Sequence, residues 1–232
     1  MSATPLRIDA RYSGPPVSAN GGVTAGLLAE RIAGEIPSGS AVEVTLRRPP
    51  PLDTDLRVVG GQLLDGELLI AEAVASDLDL APMPAVSVED AVAAASSYAG
   101  LTTHPFPGCF VCGTDREPPD GLGLRPGAVA DGVVAAAWTP AADLPVMLWA
   151  ALDCPGAWAT DLAGRALVLG RITLRQLGPV LRDQPHVVQG WVLGGEGRKT
   201  HTATALYDAA GSPRAIARAT WFAVDVDKVG IR

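Results

Sequence analysis

Asn20-Gly21-Gly22-Val23-Thr24-Ala25-Gly26-Leu27-Leu28-Ala29-Glu30-Arg31 decides the fold, because a second copy of this stretch lies further along the chain. Laid on Cys154-Pro155-Gly156-Ala157-Trp158-Ala159-Thr160-Asp161-Leu162-Ala163-Gly164-Arg165, it matches Gly, Ala, Leu, Ala and Arg at an offset of 134 residues. Downstream, Val44-Thr45-Leu46-Arg47 falls on Ile172-Thr173-Leu174-Arg175 at an offset of 128, so the second copy has the shorter connection. A repeat of this length makes the chain two copies of one supersecondary unit.

The same order of elements follows in both copies. Val23, Leu27, Leu28 and Ile32 recur at helical spacing in the first, and Trp158, Leu162 and Leu167 do so more loosely in the second. Leading strands are expected over Leu6 to Tyr12 and Val129 to Trp138. After the first helix come Ala41 to Arg48, Leu56 to Leu64 and Glu67 to Ser76, broken by Pro49-Pro50-Pro51 and the Asp65-Gly66 turn. After the second come Leu167 to Gln176, His186 to Leu193, Thr200 to Tyr207 and Ala215 to Val224. Between the copies, Val86 to Tyr98 reads as a helix opened by Ser87, with Asp90 three residues on. Strands that follow strands argue an α+β fold with antiparallel sheets. The organisation expected is an N-terminal repeat over 1–100, a Pro/Gly-rich linker with a Cys-x-x-Cys over 101–127, and a C-terminal repeat over 128–232.

Composition narrows the function. The 232 residues are 48% hydrophobic and 19% charged with a net charge of −7, which describes a globular protein. Lys199 and Lys228 are the two lysines, so no basic stripe exists to neutralise a nucleic-acid backbone. No apolar run reaches the roughly 20 residues of a membrane span, and the N-terminus lacks the apolar centre of a signal peptide. A cytoplasmic protein with neither nucleic acid nor membrane as partner is expected. There is no Gly-x-Ser-x-Gly elbow, no His-Glu-x-x-His and no phosphate-binding glycine loop.

Four groups of residues carry candidate chemistry. Asp153 stands immediately before the second predicted helix, where its carboxylate is either a plain cap or a group that positions water. Gly156 lies in the following turn, whose amides could polarise a carbonyl oxygen. Asn20 occupies the equivalent turn of the first copy beside Gly22, as helix cap or as substrate contact. Arg198-Lys199, between two strands, offers two cations either to phosphates or to solvent. Cys109-Phe110-Val111-Cys112-Gly113, with His104 upstream, has the spacing of half a zinc site or of a redox dithiol. A second Cys/His pair is missing, so buried reduced thiols are the favoured reading, with no metal and no cofactor. Cys154 or His201 would have to complete such a site from a distance. His186 and His201 fall on predicted strands with no nucleophile motif nearby.

These motifs resemble the type II acyl-CoA thioesterases. Asn20 to Gly26 is similar to that family's Gly-Gly-x-x-x-Gly helix start, Val42 to Leu46 with Arg48-Pro49-Pro50 to its strand end, and Ala150-Ala151-Leu152-Asp153-Cys154 to its Ser-Leu-Asp-His, whose aspartate is catalytic. The resemblance implies a single-chain double hotdog: two antiparallel sheets, each wrapped around a central helix. It also implies hydrolysis of an acyl thioester of CoA or of acyl carrier protein, with Asp153 activating water. Trp149, Trp158 and Phe222 would line the acyl slot, the linker around Phe106 to Cys112 would close one end, and the chain would form a homo-oligomer. Two departures stand out. Cys154 replaces the family's histidine, and Phe222 stands where a water-holding glutamine belongs. The family's active-site Ser/Thr has only Thr200 and Thr202 as candidates. The second reading is therefore a catalytically weak acyl-CoA-binding or scaffold protein of the same fold.

Overall fold

The computed structural model describes residues 3–116, 118, 120–141, 144–160, 162 and 165–225. Asp161, Ala163 and Gly164 of the second aligned stretch lie outside the described residues. The first half contributes β1 (Thr4–Leu6), α1 (Gly21–Ile32), β2 (Ala41–Leu46), β3 (Leu56–Val59), β4 (Gln62–Asp65) and β5 (Leu68–Ser76). A connecting helix, α2 (Val88–Ala94), follows. The second half contributes β6 (Gly127–Ala130), β7 (Val133–Trp138), α3 (Leu144–Ala151), α4 (Cys154–Trp158), β8 (Leu167–Gln176), β9 (His186–Glu196), β10 (Lys199–Asp208) and β11 (Pro213–Ala223).

The strands form one antiparallel sheet of eleven, in the order β1-β3-β4-β5-β2-β8-β11-β10-β9-β7-β6. This differs from the expected pair of separate sheets. The halves are fused where β2 meets β8, with Val42 to Thr45 pairing Leu174 to Arg171. Val44 lies opposite Ile172, its own counterpart in the repeat, so the repeat's local two-fold relation passes through the seam. Both residues are wholly buried, which makes the seam part of the core.

Helices α1 and α3 pack on each other, and Gly22 and Gly26 let them approach. A β-carbon on Gly22 would stand 2.7 Å from the Trp149 carbonyl oxygen, and one on Gly26 would stand 2.8 Å from the Val146 α-carbon. Side chains larger than hydrogen would push the helices apart. α1 rests on β2, β5 and β8, while α4 rests on β7, β9 and β10. Side chains alternate faces along a strand, so the sheet also has an outer face. There α2 packs Ala91 against Ala135 and Val187, and the 78–85 segment lays Leu78 over Trp191 and Ile216. Tyr207 donates from its hydroxyl to the Met83 carbonyl oxygen at 2.6 Å.

Several expectations are corrected. The leading strand Leu6 to Tyr12 is only β1; the chain then enters a short 3₁₀ turn capped by Asp9, which accepts from the Arg11 amide. The run Leu56 to Leu64 is two strands, because Gly60 and Gly61 adopt φ of 53° and 79° and turn the chain. The second helix does not reach Leu167; α4 ends at Trp158 and Leu167 opens β8. α3, apolar on all sides, carries no helical period to read. The helix from Ser87 is as expected at its start, with the Ser87 hydroxyl accepting from the Asp90 amide at 3.0 Å. Among the described residues no helix is long and apolar enough to cross a membrane.

Candidate functional site

The site forms where the two helix starts face each other. Asn20 caps α1, its Oδ1 accepting from the Val23 amide at 2.9 Å. With that oxygen engaged, its Nδ2 donates across the halves to Asp153 Oδ2 at 3.1 Å. The Gly22 amide, one of the four at a helix start that have no intrahelical acceptor, donates to the same oxygen at 2.9 Å. Asp153 precedes α4 yet makes no side-chain cap to it. Its carboxylate instead satisfies the start of the other half's helix.

Asp153 is 2% exposed. Burial pushes its carboxyl up to about 7, and the Gly22 and Asn20 donors oppose that rise by favouring the charged form. Asp153 Oδ1 is buried and meets no donor among the described residues. Beside the carboxylate lies a cavity of about 800 Å³, walled by Asp153, Asn20, Trp158, Phe106 and Phe222 and bordered at the surface by Arg48 and Arg198. Its shape owes much to β8: Gly170 leaves room for the Phe222 ring, and a β-carbon there would stand 2.2 Å from it.

The expected site residues divide on this geometry. Asn20, Asp153, Trp158, Arg198 and Phe222 all line the cavity. Gly22 contributes through its amide. Gly156 does not take the expected role: its amide donates to the Asp153 carbonyl oxygen at 3.2 Å, and it packs under Thr202 rather than on the cavity. Lys199 and Trp149 also lie off the cavity wall. Thr200 accepts from Arg165 at 2.9 Å and Thr202 accepts from the Trp221 indole at 2.9 Å, so neither hydroxyl reaches Asp153. His186 binds the Gln184 carbonyl through Nδ1 at 2.8 Å, and His201 binds Thr220 Oγ1 at 3.1 Å on the sheet's other side.

The linker closes one end of the cavity with Phe106, Cys109 and Cys112. Here the structure adds a partner that spacing did not join to the pair. Cys154 Sγ lies 3.8 Å from Cys109 Sγ, and the sulfurs of Cys109, Cys112 and Cys154 all lie within 4.8 Å of one another. The neighbouring Cys112 and Cys154 thiols hold Cys109 well below the ordinary thiol value; burial pushes the Cys112 thiol up, and the contact with Cys109 pushes the Cys154 thiol up first. His104 is not part of the trio. Its Nδ1 accepts from the Phe106 amide at 2.9 Å and its Nε2 meets the Cys112 carbonyl oxygen at 3.1 Å.

No protein-family model matches this chain, and no curated protein matches it. Solved structures do. An acyl-CoA thioesterase II from Mycobacterium marinum superposes with a TM-score of 0.59 at 12% identity, covering 96% of this chain and 93% of that one. A conserved protein of unknown function with a hot dog fold from Alicyclobacillus acidocaldarius gives 0.61 at 12% identity, over 96% and 93%. The dehydratase domain of a mycocerosic acid synthase-like polyketide synthase gives 0.57 at 13% identity, over 97% and 92%. A thioesterase and a dehydratase domain thus share this architecture, and fold alone does not choose between their reactions. Over nearly its whole length the chain shares the hot dog fold of type II thioesterases.

Proposed function

We propose that the protein hydrolyses acyl thioesters, with Asp153 as the group that positions and deprotonates water. The observation that carries this reading is the asymmetry of the carboxylate. Oδ2 is clamped by Gly22 and Asn20, while Oδ1 meets no donor among the described residues and the residue lies on the wall of a largely apolar cavity. A fixed carboxylate with one oxygen not engaged by a described donor, on a residue that lines an acyl-sized space, is suited to general-base attack on a carbonyl.

In this reading water adds to the thioester carbonyl carbon as its proton passes to Asp153 Oδ1. Collapse of the tetrahedral intermediate breaks the carbon–sulfur bond, and the proton on Asp153 goes to the departing thiolate. The products are a carboxylic acid and a free thiol. Trp158, Phe106 and Phe222 would enclose the acyl chain, and Arg48 and Arg198 at the rim would meet the phosphates of CoA or of a carrier-protein arm. The resemblance to the thioesterase motifs and the shared fold support the substrate class.

A second reading, acyl-thioester binding without efficient turnover, is favoured by one feature: Phe222 presents a ring where the resembling family holds water with glutamine. Both readings are tested by the free thiol released from acyl-CoAs of short to long chain, with binding measured in parallel by calorimetry. Turnover on at least one chain length supports hydrolysis. Binding with no release on any chain length supports the second reading, and neither binding nor release overturns both.

A further inference from the structure

We infer that Cys109, Cys112 and Cys154 form a binding site for one thiophilic divalent metal ion, of the Zn²⁺ class. Zinc held by thiolates at about 2.3 Å in tetrahedral geometry sets its sulfur ligands about 3.8 Å apart. Cys109 and Cys154 already stand at 3.8 Å, and Cys112 is within 4.8 Å of both. A contraction of under about 1 Å in one side chain would complete a three-sulfur face.

The surroundings are those of thiolate ligands rather than of packed thiols. Asn20 Nδ2 lies 3.8 Å from Cys109 Sγ and 3.8 Å from Cys154 Sγ. Hydrogen bonds from N–H groups to sulfur are the outer contacts that orient metal-bound thiolates and spread their charge. Gly113 completes the turn: its amide donates to the Cys109 carbonyl oxygen at 2.8 Å, and a β-carbon would sit 2.3 Å from the Pro107 carbonyl oxygen. The Cys-x-x-Cys-Gly turn is therefore a tight knuckle that holds two sulfurs on one side, and the third arrives from the start of α4, 45 residues away from Cys109.

Three sulfurs leave a tetrahedral ion one position for water, and all three cysteines line the cavity that Asp153 shares. The ion would pin the linker to α4 and fix Asn20, which touches two of the sulfurs and the Asp153 carboxylate. The inference does not depend on the proposed hydrolysis, because its test reads metal.

The test uses the full chain, purified under reducing conditions and stripped of metal, then titrated with Zn²⁺ and separately with Co²⁺. About one equivalent of Zn²⁺ should bind, and Co²⁺ should give the intense thiolate-to-cobalt absorption and visible bands of a tetrahedral sulfur site. Cys112→Ser and Cys154→Ser should each lower affinity at least 10-fold, in the range expected for a weakened ligand set. The wild-type cobalt spectrum decides the matter even where a variant fails to fold. Three free thiols in the denatured reduced protein with no cobalt absorption and no bound zinc would overturn the assignment, as would a Cys109–Cys154 disulfide that persists while reduction restores no metal binding.

Discussion

The Asn20 side-chain amide donates to Asp153 Oδ2 at 3.1 Å across 133 residues of sequence, and the two residues open the helices of opposite halves. The catalytic candidate of the second half is thus held by the helix start of the first. In the proposed reaction a single carboxylate would serve a chain built from two copies. The first copy supplies donors where the second supplies the acid.

Asn20→Ala removes a helix cap and one of the two donors to a buried carboxylate. Loss of the cap costs about 1 kcal/mol, and the loss of one of the two donors to the buried carboxylate adds about 1–3 kcal/mol. Urea unfolding should therefore show a loss of about 2–4 kcal/mol, and hydrolysis should fall while acyl-CoA binding changes less. A loss confined to the cap's share, with hydrolysis unchanged, would separate Asn20 from the site.

Gly22→Ala places a methyl group 2.6 Å from the Asp153 β-carbon and 2.9 Å from the Ala150 α-carbon. The contacts are with backbone and with the site residue itself, so the helices must separate, at a cost of about 1–3 kcal/mol. Gly34→Ala serves as control, since nothing lies within 4 Å of a β-carbon there. Its stability should stay within about 1 kcal/mol of wild type.

In the metal-free chain, stability should fall as pH rises through neutrality on account of Asp153. Its carboxyl titrates at about 7 when folded against an ordinary 3.8 because burial disfavours the charge. The folded state then binds a proton the unfolded state has lost. The stabilisation is complete below about pH 4 and disappears as pH passes about 7, an effect on the order of a few kcal/mol. Asp153→Asn keeps an oxygen for Gly22 and Asn20 but has no proton to lose. Urea midpoints at pH 5 and pH 8 should diverge more in wild type than in this variant.

Phe222→Ala opens the cavity wall that Gly170 makes room for. The kcat/KM optimum over an acyl-CoA series should move to longer chains, by up to about 10-fold per added methylene accommodated. An unchanged chain-length profile would place the acyl chain elsewhere in the cavity.

The repeat and most strands were legible because they rest on local pattern. β8 is bounded by Leu167 and Gln176 as its alternation predicts, and Val44 pairs with the very residue, Ile172, that the alignment assigns it. What escaped needs distance or lacks a period. α3 is apolar on every side, and Gly60-Gly61 breaks a strand through backbone angles that alternation does not register. Asp153 was visible as a helix-start carboxylate, but not that it serves α1 in place of α4. Sequence adjacency points to Gly156, whereas its amide faces back to the Asp153 carbonyl oxygen. Cys154 joins Cys109 only once the linker folds over the second half, a contact that no local spacing encodes.

Turnover of acyl-CoA by wild type against Asp153→Asn, with acyl-CoA affinity measured for both, tests the central claim most directly. The account predicts a fall in kcat of roughly 10²- to 10⁴-fold with affinity retained, as for loss of a general base. Equal turnover by the two proteins would contradict it and remove Asp153 from the chemistry.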